Sequence, residues 1–189
     1  LDYDGVHYQV HAPEVRPRPY QQSGPPLWRS VISPGSFTEC GRLGIPILTS
    51  RLAVDRIKER WALYEAGLEE GGHDTEPRAR LLAQSALWRN VYIADSDDQA
   101  RDELAALLLQ TRNHMMHVRD AFNPDDFVID PAALNAWADP AVGDDVAVDY
   151  VLETGSLFGS AARVREQVAE LRDAGVQHLL CQTGFGDMS

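Results

Sequence analysis

Cysteine is scarce in this sequence of 189 residues, which contains only Cys40 and Cys181. Two isolated thiols make neither a disulfide framework nor a metal site, and they favour a reducing, cytoplasmic setting. No apolar run approaches the roughly 18 residues of a membrane span, and the first residues lack the pattern of a signal peptide. We therefore expect neither a disulfide-stapled secreted protein nor an integral membrane protein.

Positive charge is also in short supply, with 17 Lys and Arg residues against 29 Asp and Glu residues and a formal net charge of −12. Such a surface repels nucleic acid and anionic membranes unless a basic patch is set apart. The arginines are scattered and often stand beside acids, as in Asp55-Arg56 and Glu59-Arg60. We expect no nucleic-acid or membrane partner, and any phosphate site must be built from backbone dipoles or a single cation.

Several motifs of catalysis are missing, among them Gly-x-Ser-x-Gly, the Walker A sequence and the dinucleotide fingerprint. His114 and His117 are three residues apart and share a helix face, but no third ligand completes a metal site. A role at the edge of an active site or in dimer packing suits them better. Glu39 and Glu65 are interpreted as solvated surface charge, so no metal ligand and no catalytic residue is assigned.

The residues that are present indicate strands and helices in alternation. Hydrophobic residues make up 44% and charged residues 24%, as in a soluble globular protein. The patterns predict buried strands at 27–32, 45–48, 88–94 and 177–182, helices at 33–43, 51–68, 96–122 and 160–175, a hairpin or extended arm at 3–10, and a loop at 69–78.

Helices that separate successive strands are typical of a parallel sheet or barrel. Four strand–helix units can be counted, the last without its helix, whereas a complete (β/α)8 barrel has eight units and typically about 250 residues. The sequence thus predicts an α/β fold of the (β/α)8 TIM-barrel type with about four units present. We expect one domain over 1–189 with an insertion at 123–150. The first residue, Leu1, suggests a chain cut from something longer.

Four segments, in order, resemble the bacterial-luciferase-like flavin-dependent monooxygenases. They are Tyr3-Asp4-Gly5-Val6-His7-Tyr8 with the Pro-rich segment 16–28, Ser33-Pro34-Gly35-Ser36 with Cys40-Gly41 and Gly44, the segment 91–101, and Gly159-Ser160 with Val164, Leu171, Gly175-Val176 and Leu179-Leu180. The resemblance covers nearly the whole chain and implies the C-terminal half of the family's barrel. The first four strands, which form one wall of the flavin pocket, have no counterpart here.

The turn Ser33-Pro34-Gly35-Ser36 is the best local candidate for a binding site. Ser33 suits the N-cap position of a helix, and Pro34 suits the first helical position. The backbone N–H groups of Gly35 and Ser36 would then point outward from the positive end of the helix dipole, where a phosphate binds without any lysine. An ordinary capped helix start remains the alternative interpretation.

The resemblance implies that Ser33, Gly35 and Ser36 bind the phosphate of flavin mononucleotide (FMN). It further implies a monooxygenase that uses reduced FMN, supplied by a flavin reductase, and dioxygen to oxidise a small organic substrate. Trp28 and Phe185 are candidates for the pocket wall, with core packing as the alternative for Trp28; Gly184-Phe185-Gly186 is a weaker ligand-approach site or a plain turn.

Two alternatives to an FMN-dependent enzyme stay open at this point. Relatives of the same fold use the deazaflavin F420, and a catalytically silent flavin-binding or assembly module is also compatible with the sequence. Half a barrel exposes strand edges, so we expect a homodimer or pairing with the missing half.

Overall fold

A computed structural model describes residues 2–12, 14, 16–22, 24–122 and 135–185. Its strands are β1 (Asp2–Asp4), β2 (Gln9–His11), β3 (Arg29–Ser30), β4 (Ile47–Ser50), β5 (Ala86–Ile93), β6 (Ser156–Gly159) and β7 (His178–Gln182). Its helices are α1 (Pro34–Leu43), α2 (Val54–Glu70), α3 (Thr75–Gln84), α4 (Asp97–Phe122), α5 (Asp144–Gly155) and α6 (Ala161–Asp173). The predicted alternation of strands and helices is confirmed from β3 onward.

The segment before the main sheet is the predicted hairpin. Strands β1 and β2 pair antiparallel with Tyr3 opposite Val10, and the Gly5 N–H donates to the Tyr8 carbonyl at 2.9 Å. Both strands are exposed over their whole length. Of the two arrangements that the alternating pattern allowed, the hairpin is therefore the one formed.

The main sheet is parallel and is organised around β5, the longest strand. Strand β4 pairs with the first part of β5, from Ala86 to Trp88, and β6 pairs with its last part, from Asn90 to Ile93. Strand β7 pairs with β5 from Ala86 to Asn90. Because Asn90 is paired with both β6 and β7, these two strands lie on opposite edges of β5. Strands β4 and β6 consequently share one edge, one after the other.

Two hydrophobic clusters hold the helices against this sheet. The larger one fills the space between the sheet and helices α1, α2 and α6, with Phe37, Trp61, Tyr64, Leu87 and Leu171 almost fully buried. The second cluster joins α4 to α5 and to the residues just before α5. Its buried members include Leu104, Leu108, Trp137, Val151 and Leu152.

Three sequence predictions need correction. The strand predicted at 27–32 comprises only Arg29–Ser30, and Leu27 and Ile32 are 73% and 68% exposed. The reason is that β3 pairs with β4 alone within the described residues, so one edge and one face lack neighbours. The strand predicted at 45–48 is displaced to Ile47–Ser50, because Ile45 ends the α1 cap through its N–H bond to the Cys40 carbonyl.

The third correction concerns the segment predicted as a loop at 69–78. Its second half belongs to α3, which begins at Thr75 after Asp74 and buries Leu81. The sequence pattern did not indicate this helix, because only one of its faces meets the core and the remaining residues are mostly polar. Of the predicted insertion at 123–150, residues 123–134 lie outside the described residues, whereas residues 144–150 form the first half of α5.

The crossing of α1 and α2 depends on two glycines. A Cβ added to Gly41 would stand 2.3 Å from the Tyr64 carbonyl oxygen, and one added to Gly67 would stand 2.2 Å from the Thr38 carbonyl oxygen. Both obstacles are backbone atoms, which cannot rotate away. These two positions therefore fix the distance between the helices.

We predict that Gly41→Ala destabilises the protein by about 3 kcal/mol, because overpacking must push α1 and α2 apart. Urea unfolding followed by circular dichroism measures this change. Gly184→Ala is the matched control, since a Cβ at Gly184 meets no heavy atom within 4 Å. Equal stability of the two variants would contradict the packing argument.

Candidate functional site

The carboxyl ends of the parallel strands bring several loops together at one end of the sheet. Strand β3 leads to Ser33, β4 to Arg51, β5 to Asp97 through a short loop, β6 to Ser160, and β7 to Phe185. In barrels of alternating strands and helices, ligands bind at this end. The side chains at these loops are therefore the candidates for function.

The turn predicted to bind phosphate lies at this end and opens α1 as expected. Ser33 is the N-cap residue with extended backbone, and Pro34 occupies the first helical position. The Ser33 side chain does not cap the helix; its Oγ instead lies 2.8 Å from the Ser36 Oγ. The two hydroxyl groups thus form a pair at the mouth of the turn.

The backbone of this turn differs in one respect from the prediction. The Ser36 N–H is not free, because it donates to the Ser33 carbonyl at 3.1 Å. The Gly35 N–H has no acceptor among the described residues, and a Cβ placed on Gly35 would meet no heavy atom within 4 Å. Gly35 and the two hydroxyl groups are thus the donors that this turn presents, and the space in front of Gly35 is open.

The start of α1 also differs from the other described helix starts in its charge. The first turns of α2, α3, α4 and α5 each contain at least one acidic residue. Helix α6 has none of its own, but the Asp97 carboxylate accepts the Ser160 N–H at 2.7 Å. Acids neutralise the positive end of a helix dipole. Among the described helices, α1 alone begins without such an acid.

Arg51 follows β4, the strand that pairs with β3, and has an unusual backbone conformation. Its φ of 54° is the one positive value at a non-glycine residue in the described ranges. The chain must leave the edge of β5 at this point, because β6 begins there. The Arg51 stem consequently passes close to Gly155, where an added Cβ would lie 3.4 Å from the Arg51 Cγ.

The Arg51 guanidinium group is poorly paired. It lies over the Trp137 ring, 5.8 Å from the ring centroid, and its Nε is buried with no hydrogen-bond acceptor. Burial lowers the pKa of Arg51, while nearby Tyr150 acts in the opposite direction. No carboxylate within the described part of the chain forms an ion pair with it.

A second buried arginine fixes the loop that contains Arg51. Arg89 of β5 is 3% exposed and donates to the Leu52 carbonyl at 2.6 Å and to the Trp88 carbonyl at 3.2 Å. Burial lowers the pKa of Arg89 to about 10, which still leaves it protonated at neutral pH. Arg89 thus ties the loop after β4 to the central strand.

An aromatic pair stands at the same end of the sheet. Tyr92 and Phe185 meet edge to face with ring centroids 6.0 Å apart, and the Tyr92 hydroxyl donates to the Glu103 carboxylate at 2.8 Å. This hydrogen bond raises the pKa of Tyr92. Phe185 therefore lies just beyond the carboxyl end of β7, and its role as a wall of the pocket stays a prediction.

Trp28 is at the opposite end of the sheet from the candidate site. It precedes β3, and its indole N–H donates to the Gln84 carbonyl just before β5, at 2.8 Å. His178 at the start of β7 bonds the same carbonyl. Trp28 is 42% exposed, so it is neither a wall of the site nor a core residue. The hydrophobic pattern misplaced it because it implied a strand two residues earlier than β3 begins.

The other candidate side chains stay apart. His114 and His117 are exposed on α4, and the described residues contain no group of three or more His, Cys, Asp or Glu side chains suited to hold a metal ion. Cys40 is buried, which raises the pKa of its thiol, and Cys181 is exposed. No helix within the described ranges is long and apolar enough to cross a membrane.

Comparison with known proteins adds to this geometry. The family model described as luciferase-like monooxygenase matches residues 1–178. The chain belongs to the luciferase-like monooxygenase family. The α/β fold with a parallel sheet is that of the luciferase-like TIM-barrel proteins, as the resemblance implied.

Relatives of this luciferase-like chain include a curated protein and several solved structures. The uncharacterized protein y4wF of Sinorhizobium fredii is 26% identical over 191 residues, which cover 100% of this chain and 50% of that protein. One solved structure is the oxygenating constituent of 3,6-diketocamphane monooxygenase from Pseudomonas putida in complex with FMN. It superposes with a TM-score of 0.56 at 17% sequence identity, and the match covers 97% of this chain and 51% of that protein. Another is an F420-dependent secondary alcohol dehydrogenase in complex with an F420-acetone adduct. It superposes with a TM-score of 0.60 at 16% sequence identity, and the match covers 96% of this chain and 49% of that protein. The chain thus spans about half the length of the relatives that it matches.

The contact between Asp97 and the start of α6 is open to a direct test. The hydrogen bond from the Ser160 N–H is the largest cause that lowers the pKa of Asp97 below its ordinary value of 3.8. A depressed pKa in the folded state contributes stability above the unfolded value and loses it as pH falls. We predict that Asp97→Asn lowers the midpoint of thermal unfolding at pH 7, and that its difference from the wild type shrinks below about pH 4.

Asp98→Asn serves as the control for this experiment, because Asp98 is also exposed in the first turn of α4, whereas the hydrogen bond to Ser160 is made by Asp97. Thermal melts at several pH values measure both variants. A difference between Asp97→Asn and the wild type that is constant from pH 7 to pH 3 would show that the carboxylate charge has no role in the contact.

Proposed function

We propose that this protein is a flavin-dependent oxidoreductase, a monooxygenase that uses reduced FMN and dioxygen to oxidise a small organic substrate. The observation that carries the proposal is the open start of α1 at the carboxyl end of the sheet. There the Gly35 N–H and the Ser33 and Ser36 hydroxyl groups present donors and no acid competes for them. A phosphate group suits such a site.

The chain's own residues have definable tasks in this proposal. Ser33, Gly35 and Ser36 bind the phosphate and so fix one end of the flavin. The Tyr92 and Phe185 rings close one side of the space at the carboxyl ends of β5 and β7 and exclude water from it. When bound, the reduced flavin supplies the electrons and the reactivity toward dioxygen.

Use of F420 instead of FMN is the second candidate for the cofactor. The F420-dependent secondary alcohol dehydrogenase with the same fold favours it, because its structure contains an F420-acetone adduct. F420 also carries a phosphate group, so the start of α1 suits either cofactor. A direct comparison of FMN and F420 binding decides between the two, and an F420-specific chain would transfer hydride and leave dioxygen unused.

The first test removes the two hydroxyl groups. We predict that the double variant Ser33→Ala, Ser36→Ala binds FMN about a hundredfold more weakly, because each of the two lost hydrogen bonds to a charged phosphate costs more than one to a neutral group. Quenching of flavin fluorescence measures the dissociation constant. Riboflavin, which lacks the phosphate, should bind both forms with equal affinity.

Ser96→Ala is the matched control, because Ser96 also starts a helix at this end of the sheet and its Oγ accepts the Gln99 N–H at 3.2 Å. It should retain the wild-type affinity for FMN. If the double variant binds FMN as tightly as the wild type does, the phosphate is held elsewhere and the proposed site is wrong.

Assembly is part of the same proposal. The exposed Leu27 and Ile32 flank β3, and the outer edge of β3 has no partner strand among the described residues. We propose that the protein forms a homodimer or pairs with the other half of a luciferase-like barrel, and that a flavin reductase supplies its reduced cofactor. A catalytically silent flavin-binding or assembly module is the alternative, and it would bind flavin without turnover.

We predict that the protein in solution has a mass above the 21.0 kDa of a single chain, because an exposed edge strand with apolar neighbours is otherwise prone to aggregate. Light scattering coupled to size exclusion measures the mass. A stable monomer of 21.0 kDa with unchanged FMN binding would contradict the assembly proposal and leave the phosphate site in place.

A further inference from the structure

Arg51 combines three features that a purely structural residue seldom has together. Its backbone has a φ of 54°, which costs free energy for any residue other than glycine. Its Nε is buried without an acceptor, although buried polar groups are normally hydrogen-bonded. Its charge has no counter-ion within the described part of the chain. Such strain and unmet bonding are most common at binding sites.

The position of Arg51 relative to α1 follows from the strand register. Strands β3 and β4 pair with Ser30 opposite Leu48, and the pairing extends one residue further through the Thr49 hydroxyl, which donates to the Val31 carbonyl at 2.7 Å. Ser33 follows Val31 by two residues, and Arg51 follows Thr49 by two residues. The two residues therefore begin neighbouring loops at the same end of the sheet.

The surroundings of Arg51 hold its charge in place. The Trp137 ring lies against the guanidinium group and offers a favourable face to a cation. Trp137 is itself fixed, because its carbonyl accepts from the buried Arg112. The bond from Arg89 to the Leu52 carbonyl holds the backbone on the other side. Arg51 is thus a preorganised cation that is only partly exposed.

We propose that Arg51 binds an oxyanion of the ligand, a phosphate or carboxylate group, at the carboxyl end of β4. An anion that pairs with the guanidinium group would offset the cost of its partial burial. Two sources share this chemistry, namely the phosphate of the cofactor and an acid group of the substrate. Only the choice between them rests on the proposed function.

Replacement by glycine separates a binding role from a structural one. Glycine adopts a φ of 54° without strain, so Arg51→Gly should melt at or above the wild-type temperature while it loses the anion site. The wild type should melt several degrees higher when inorganic phosphate or propionate is added at constant ionic strength, and Arg51→Gly should respond less to at least one of the two anions, although phosphate can still bind at the start of α1. Arg51→Asn, which also tolerates this conformation, is the second variant.

Arg56→Gln is the matched control, because it removes one positive charge from an exposed arginine that is paired with Glu59. It should respond to both anions as the wild type does. The inference is overturned if the wild type responds to neither anion or if Arg51→Gly responds to both anions as strongly as the wild type does. It is also overturned if both Arg51 variants, without any anion, melt more than about 5 °C below the wild type.

A second measurement identifies the source of the anion. It compares the dissociation constant of riboflavin with that of FMN, as the ratio of the first to the second. If Arg51→Gly lowers this ratio about tenfold, the cofactor phosphate is the ligand. If the ratio is unchanged and the response to propionate is lost, an acid group of the substrate is the ligand. Absence of flavin binding by the wild type would defeat the proposed function, whereas the response to the two anions would still test Arg51.

Discussion

The pairing of β5 with three strands is the constraint on which the rest of the structure depends. Strands β4 and β6 occupy the same edge of β5 in succession, with Trp88 as the last partner of β4 and Asn90 as the first partner of β6. The chain must therefore turn away after Ser50, and Arg51 takes the strained conformation that the turn requires. Gly155, just before β6, leaves room for the Arg51 stem. One feature of the sheet thus determines the path of two loops at the candidate site.

Charge compensation at the helix starts explains why one of them is available. Asp97 reaches across from α4 to the start of α6, and the starts of α2 to α5 each contain an acid of their own. An anion would be repelled from all of these positions. The start of α1 has a proline and a glycine instead, so its positive end faces open space. In a chain with a net charge of −12, this helix start has no acid in its first turn, and Arg51 has no carboxylate partner among the described residues.

Much of this arrangement could be predicted from the sequence. The alternation of strands and helices, the start of α1 at Pro34 and the final strand followed from local patterns, because caps, prolines and apolar periodicity are local signals. The family was recognised from four short segments, and the structure bears out the fold that they implied. The Phe185 position followed from the last strand, since a residue just after a parallel strand lies at its carboxyl end.

Other features depend on contacts between distant parts of the chain. The burial of β3 was predicted wrongly, because whether an apolar residue is covered depends on a neighbouring strand. Helix α3 was missed, since its polar face dominates its composition. Arg51 gave no signal in the sequence, because its conformation results from the shared edge of β5. The bond from Ser160 to Asp97 joins residues 63 positions apart and could not be read locally.

Binding of the flavin phosphate at the start of α1 is the proposal on which the function depends most directly. The most direct measurement is a two-dimensional 15N–1H NMR spectrum of the protein titrated with FMN and, separately, with riboflavin. We predict that FMN shifts the Gly35 amide signal and that riboflavin leaves this signal unchanged; a shift of the Arg51 side-chain signal by FMN alone would in addition identify the cofactor phosphate as the anion that Arg51 binds. Shifts caused by FMN only at the opposite end of the sheet, around Trp28 and His178, would contradict it.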